Sequence, residues 1–97
     1  KAITIDNQEI LDYINMEDSN TIFKYWYTNL SEINQANKEY IDKLIEQTGD
    51  KFGLKGKNIF FPLRAILYGS FKGPDLFTII SILGVEETKV RIKKYIK

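Results

Sequence analysis

The segment Gly53-Leu54-Lys55-Gly56-Lys57-Asn58 is the closest approach to a phosphate-binding loop in this chain. A P-loop sets its two glycines five residues apart and follows its lysine with a hydroxyl that holds magnesium; here the glycines are three apart and Asn58 stands in the hydroxyl's place. Nucleotide binding is therefore not expected at this segment. The adjacent carboxylates Glu17-Asp18 and Glu86-Glu87 lack the ligand spacing of an EF-hand and have no evident partner for acid–base work, so they read as cap or first-turn charges of helices. With no Cys and no His, the chain has no thiolate nucleophile, no imidazole base and neither a thiolate nor an imidazole ligand for zinc, and no metal site is expected. Phe23-Lys24-Tyr25-Trp26-Tyr27 interleaves aromatics with a base, the composition of a stacking platform for unpaired nucleobases. Helical spacing turns Phe23 and Trp26 inward, however, and packing is their expected role.

These side chains must be carried by one small domain. Ninety-seven residues, 43% hydrophobic and 28% charged, suffice for a single core with ordinary globular composition. The longest nearly apolar stretch, Leu76 to Leu83, falls far short of the roughly 18 residues that cross a bilayer, and nothing resembles a signal peptide, so neither membrane insertion nor secretion is expected. Because the chain begins with Lys1, it is expected to be a segment of something longer. Its net charge of +1 hides an asymmetry. Residues 1–50 hold four lysines against ten acids, net −6, and residues 51–97 hold ten bases against three acids, net +7. A polyanion would meet the C-terminal half.

The periodicity is helical throughout. Asp6 and Glu9 have the spacing of a capping box ahead of a short helix bearing Ile10, Leu11 and Ile14. A second helix, from about Ser19, places Ile22, Phe23, Trp26 and Leu30 on one face. From an N-cap at Ser31 to about Thr48, apolar residues keep a 3.6-residue period, and Gly49 is the expected stop. Asp50 to Lys57 reads as an exposed basic loop. Pro62 predicts a late start, between Asn58 and Leu63, for a helix that Gly69 ends. Pro74 fits a first helical position, Leu76 to Leu83 a central buried helix stopped by Gly84, and the last segment runs from Glu86 and Glu87 to Arg91, Lys93, Lys94 and Lys97, as the helix dipole favours. The expected fold is all-α, a compact bundle of about five to six helices.

From Gly53 onward the order of motifs is specific. The lysine-glycine loop of Gly53 to Lys57, Phe61-Pro62-Leu63-Arg64, Gly69, Gly73-Pro74-Asp75-Leu76, Leu83-Gly84 and the basic C-terminal helix resemble the C-terminal anticodon-binding domain of bacterial glutamyl-tRNA synthetases; residues 1–50 resemble it only through an aromatic helix followed by a long amphipathic one. The resemblance implies that residues 1–97 are mainly the C-terminal anticodon-binding subdomain. The parent would be a monomeric, cytoplasmic glutamate–tRNA ligase that uses ATP and glutamate on a catalytic domain absent from this chain. Neither nucleotide-binding signature of class I synthetases occurs here, so the segment alone is expected to be non-catalytic and to hold no cofactor. Its implied partner is tRNA-Glu, with no DNA and no membrane.

By the same resemblance, Arg64, Gly73, Pro74 and Leu76 lie against splayed anticodon bases. Guanidinium planes and exposed backbone at turns are means by which unstacked RNA bases are read. Lys51, Lys55, Lys57 and Lys72 are candidates for phosphate contacts. The bland reading of Arg64 is a surface cation paired with an acid. The competing function is a helical protein-interaction domain whose acidic and basic halves steer a protein partner.

Overall fold

The computed structural model describes residues 8–97. Among them the chain forms six helices and no strand: α1 (Gln8–Ile14), α2 (Glu17–Leu30), α3 (Lys38–Phe52), α4 (Gly56–Tyr68), α5 (Leu76–Leu83) and α6 (Val85–Lys93). This is the all-α bundle that the periodicity predicts. Helix α4 is its axis, packing against each of the other five. It buries Ile59, Pro62, Leu63, Ala65, Ile66 and Leu67, a wider apolar face than any other helix shows. Phe23 and Trp26 are fully buried, so the inward half of the aromatic motif on α2 packs the core. The indole Nε1 of Trp26 donates to Thr48 Oγ1 at 3.0 Å, and that hydroxyl donates to the Leu44 carbonyl at 2.6 Å. The one polar atom of this largest core side chain is thereby satisfied.

Several helix boundaries differ from the expected ones, each for a local reason. Asp6, the expected cap of α1, lies outside the described residues. Helix α2 begins two residues before Ser19, whose hydroxyl instead reaches back to the Tyr13 carbonyl at 2.8 Å. Ser31 does not open α3. Its hydroxyl and amide both bond Tyr27 O and close α2, while Asn37 caps α3 by accepting from the Tyr40 amide at 2.8 Å. Residues 31–37 are thus a connection. Helix α3 runs through Gly49 because the left-handed residue that ends it is Gly53, at φ 65° and ψ 37°, with the Gly53 and Leu54 amides both bonding Gly49 O. The expected basic loop shrinks to Gly53–Lys55, with Lys51 in the last turn of α3 and Lys57 in the first turn of α4.

Pro62 does not delay α4. It is the seventh residue of that helix, and the N–H it lacks would have reached Asn58, still in the first turn. One ladder bond near the start is lost and the ring joins the core. Pro74 lies just outside α5, whose N-cap is Asp75, accepting from the Thr78 amide at 3.0 Å. Nor is α5 buried all round. It lies on the outside of the bundle against α3, α4 and α6, burying Leu76, Ile79 and Ile80 but leaving Ile82 78% exposed. Two turns of helix can be covered on one side only. Gly69 and Gly84 stop their helices as expected, both at positive φ. Arg91, one of the bases that the sequence places toward the end of the last helix, is 8% exposed; it donates to Glu87 Oε2 at 2.8 Å and to the Leu67 carbonyl at 3.3 Å, tying α6 to the end of α4.

Candidate nucleic-acid interface

The chain leaves α4 at Gly69, at φ 87°, whose amide closes on the Ala65 and Arg64 carbonyls. Residues 70–74 then fold back over the side of α4 just left. Ser70 Oγ accepts the Lys72 amide at 3.2 Å and tightens the return. Arg64, near the C-terminal end of α4, spans it: Nε donates to Pro74 O at 2.9 Å and Nη1 to Phe71 O at 3.5 Å. Behind the guanidinium lies Phe60, with 5.3 Å from Cζ to the ring centroid. Among the described residues, Arg64 pairs with carbonyls and a ring, not with an acid. Two of its five N–H donors are used within the described residues, and the remainder belong to a planar group held in one orientation.

The other side of the turn is held by rings. Phe71 stacks on Phe61, with 5.0 Å between centroids and 17° between planes, and meets Tyr13 of α1 edge-on at 5.2 Å. The Tyr13 hydroxyl donates to Asn58 Oδ1 at 3.2 Å, and burial, with the charge of Asp18 behind it, pushes its pKa up. Gly73 lets the Tyr68 ring lie against the turn: a Cβ there would stand 2.6 Å from that ring, which would have to shift. Leu76 is 2% exposed and anchors the turn from the core. Beside it, the hydrogen bonds from Thr78 hold the Asp75 carboxyl below the ordinary carboxylate range, assisted by the charges of Lys38 and Arg64.

Tertiary structure therefore brings Arg64, Gly73, Pro74 and Leu76 into one unit, with Lys72 exposed on the same turn. Lys51, Lys55 and Lys57 are exposed at the other end of α4, where Lys57 precedes Arg64 by about 10 Å of helix. Lys51 stands 5.9 Å from the Tyr25 ring and 5.8 Å from that of Phe52. Sequence reasoning missed Phe60, Phe71 and Tyr68. Phe60 and Tyr68 are each four residues from Arg64, so their sharing its helix face was readable. The approach of Tyr13 to Phe71 across 58 residues of chain was not.

The turn thus carries one clamped guanidinium and one exposed lysine, Lys72, and no helix among the described residues is long and apolar enough to cross a membrane. A family model for the anticodon binding domain matches residues 3–96. The chain belongs to the anticodon-binding domain family. A glutamate–tRNA ligase of Staphylococcus xylosus is 33% identical over 91 residues, covering 94% of this chain and 73% of that protein. That of Staphylococcus saprophyticus is 31% identical over 91 residues, 94% of this chain but 18% of the relative. That of Desulforamulus reducens is 35% identical over 81 residues, 84% of this chain and 17% of the relative. The anticodon-binding domain thus spans nearly three-quarters of one relative and under a fifth of the other two.

Proposed function

We propose that this anticodon-binding domain reads unpaired anticodon bases of tRNA-Glu for a cytoplasmic, monomeric glutamate–tRNA ligase, whose catalytic domain joins glutamate to the tRNA at the expense of ATP. The observation that carries the reading is the clamp of Arg64 across residues 70–74. Base reading needs donors fixed relative to the backbone, because a pocket that reorganises on binding loses discrimination to the cost of ordering it. Here Arg64 is fixed by Pro74 O, Phe71 O and Phe60, and the turn in its grip is fixed by Phe61, Tyr13 and Leu76.

Roles divide by chemistry. Arg64 offers its free N–H groups to a base edge; Gly73 brings backbone close without side-chain bulk, and Pro74 stiffens the turn beside it; Leu76 holds the turn from inside. Lys72 on the turn, and Lys51, Lys55 and Lys57 at the far end of α4, supply attraction to phosphates. The test is a titration of the protein with tRNA-Glu, with the same tRNA carrying another anticodon, and with an acidic protein of similar net charge. Preference for the cognate anticodon, weakening as salt rises, is expected. Equal affinity for all three ligands would instead support a charge-steered protein-interaction domain.

A further inference from the structure

Tyr68 lies one helical turn beyond Arg64 on the same face of α4, and both side chains reach residues 70–74, Arg64 at the Phe71 and Pro74 carbonyls and Tyr68 at Gly73. One edge of its ring rests on Gly73, yet the residue is 48% exposed, and its hydroxyl makes no hydrogen bond with any described residue. The ring opens on a shallow cleft of about 130 Å³ lined by Leu67, Tyr68, Pro74, Ile79, Ile82 and Leu83. No charged side chain lines it, and Ile82, at 78% exposed, forms its outer lip. Pro74 belongs both to this cleft and, through its carbonyl, to the Arg64 clamp. Such a cleft is well below the size of an ordinary small-molecule pocket and far too small for a stable protein interface. It matches one face of a flat ring.

We infer that Tyr68, Pro74 and Ile82 form a stacking ledge for an unpaired nucleobase of the bound RNA, adjacent to the base read at Arg64. The inference rests on the anticodon-reading proposal and adds a second base site to it. Continuity supports this occupant: the Pro74 carbonyl takes an Arg64 donor while its ring walls the ledge, so a strand that sets one base at the guanidinium carries its neighbour toward Tyr68. An aromatic face stacks on any base, so the ledge contributes affinity without choosing sequence, whereas Arg64 chooses. Two sites of different kind then share one turn.

The experiment uses the full chain and an anticodon stem-loop of tRNA-Glu carrying 2-aminopurine at each unpaired loop position in turn, since stacking quenches that base. One position is expected to be quenched on binding. Tyr68→Phe should keep the quench and the affinity. Tyr68→Leu, which retains apolar cover over Gly73, should abolish the quench and weaken cognate and anticodon-swapped loops alike by roughly five- to a hundredfold, the range for lost base–aromatic stacking. Ile82→Ser, at a position too exposed to matter to folding, should weaken both severalfold. Unchanged quenching and affinity in Tyr68→Leu would overturn the ledge, as would unchanged affinity in Ile82→Ser even where Tyr68→Leu binds poorly. Loss in Tyr68→Phe would do the same by assigning the effect to the hydroxyl. If the wild-type chain binds no stem-loop at all, anticodon reading itself fails and takes the ledge with it.

Discussion

Arg64 and the lysines differ in what removing them should do. The guanidinium is planar and clamped, and Lys72 and Lys57 are exposed point charges. Arg64→Ala should lower affinity for tRNA-Glu by about 1 to 3 kcal/mol while leaving tRNAs with other anticodons nearly unchanged. Arg64→Lys should recover little of this, since one ammonium cannot serve the Pro74 and Phe71 carbonyls and a base together. Lys57→Ala and Lys72→Ala should weaken every tRNA alike. Parallel titrations of cognate and anticodon-swapped tRNA read the distinction, and an equal loss on both for Arg64→Ala would make that residue a brace and no reader. A second residue-scale prediction concerns the core. Thr48→Val keeps shape but leaves the fully buried Trp26 Nε1 without an acceptor, which should cost about 1 to 3 kcal/mol in urea denaturation. Thr48→Ser keeps the hydroxyl and should cost less.

Helix ends carry the next level. Gly53 ends α3 in the left-handed region, with nothing within 4 Å of an added Cβ, so Gly53→Ala has purely conformational consequences. Denaturation should show a loss of about 1 kcal/mol. Asp75 caps α5, and hydrogen bonding from Thr78 depresses its pKa in the folded state. A depressed carboxyl contributes stability that is present above the unfolded value and is lost as pH falls through the folded one. Asp75→Asn keeps an acceptor at the cap but cannot ionise. Wild type should therefore be the more stable of the two at pH 7, and the gap should close below about pH 4. A constant gap between pH 7 and pH 2 would mean that the Asp75 charge plays no part in capping.

In the whole molecule the acidic and basic halves of the chain are not separate lobes. Helix α2 packs on both α4 and α6, and α3 on both α4 and α5, so the halves share one core and the charge asymmetry is a property of the surface. Arg91 is withdrawn into that core, which removes one base from the set available to a polyanion. If the exposed lysines neutralise phosphates, log affinity for tRNA should fall linearly with log salt, by roughly 0.7 to 0.9 in slope per contact. Each of Lys57→Ala and Lys72→Ala should lower that slope by about one contact's worth. A slope indifferent to salt would leave the basic half a solvated surface.

Sequence by itself determined the all-helical class, about five to six helices, and the inward turn of Phe23 and Trp26, because periodicity and glycine stops are properties of the local chain; the proposed site residues came from the order of motifs. Where glycines compete, sequence points to the wrong one: Gly49 and Gly53 are equally able to end a helix, and it is Gly53 that takes the left-handed conformation, with Gly49 inside α3. Pro62 was misread for a related reason, since its local cost is real but is outweighed by burial of its ring on the helix that touches all the others. Only tertiary structure decided that Arg64 reaches the Pro74 carbonyl, that Tyr13 braces Phe71, that Arg91 is interior, and that Tyr68 and Ile82 line one surface cleft. Each of these depends on the angle at which a helix or turn returns to α4. That angle is set by the sum of many small apolar contacts across the bundle, and no residue or spacing along the chain encodes it alone.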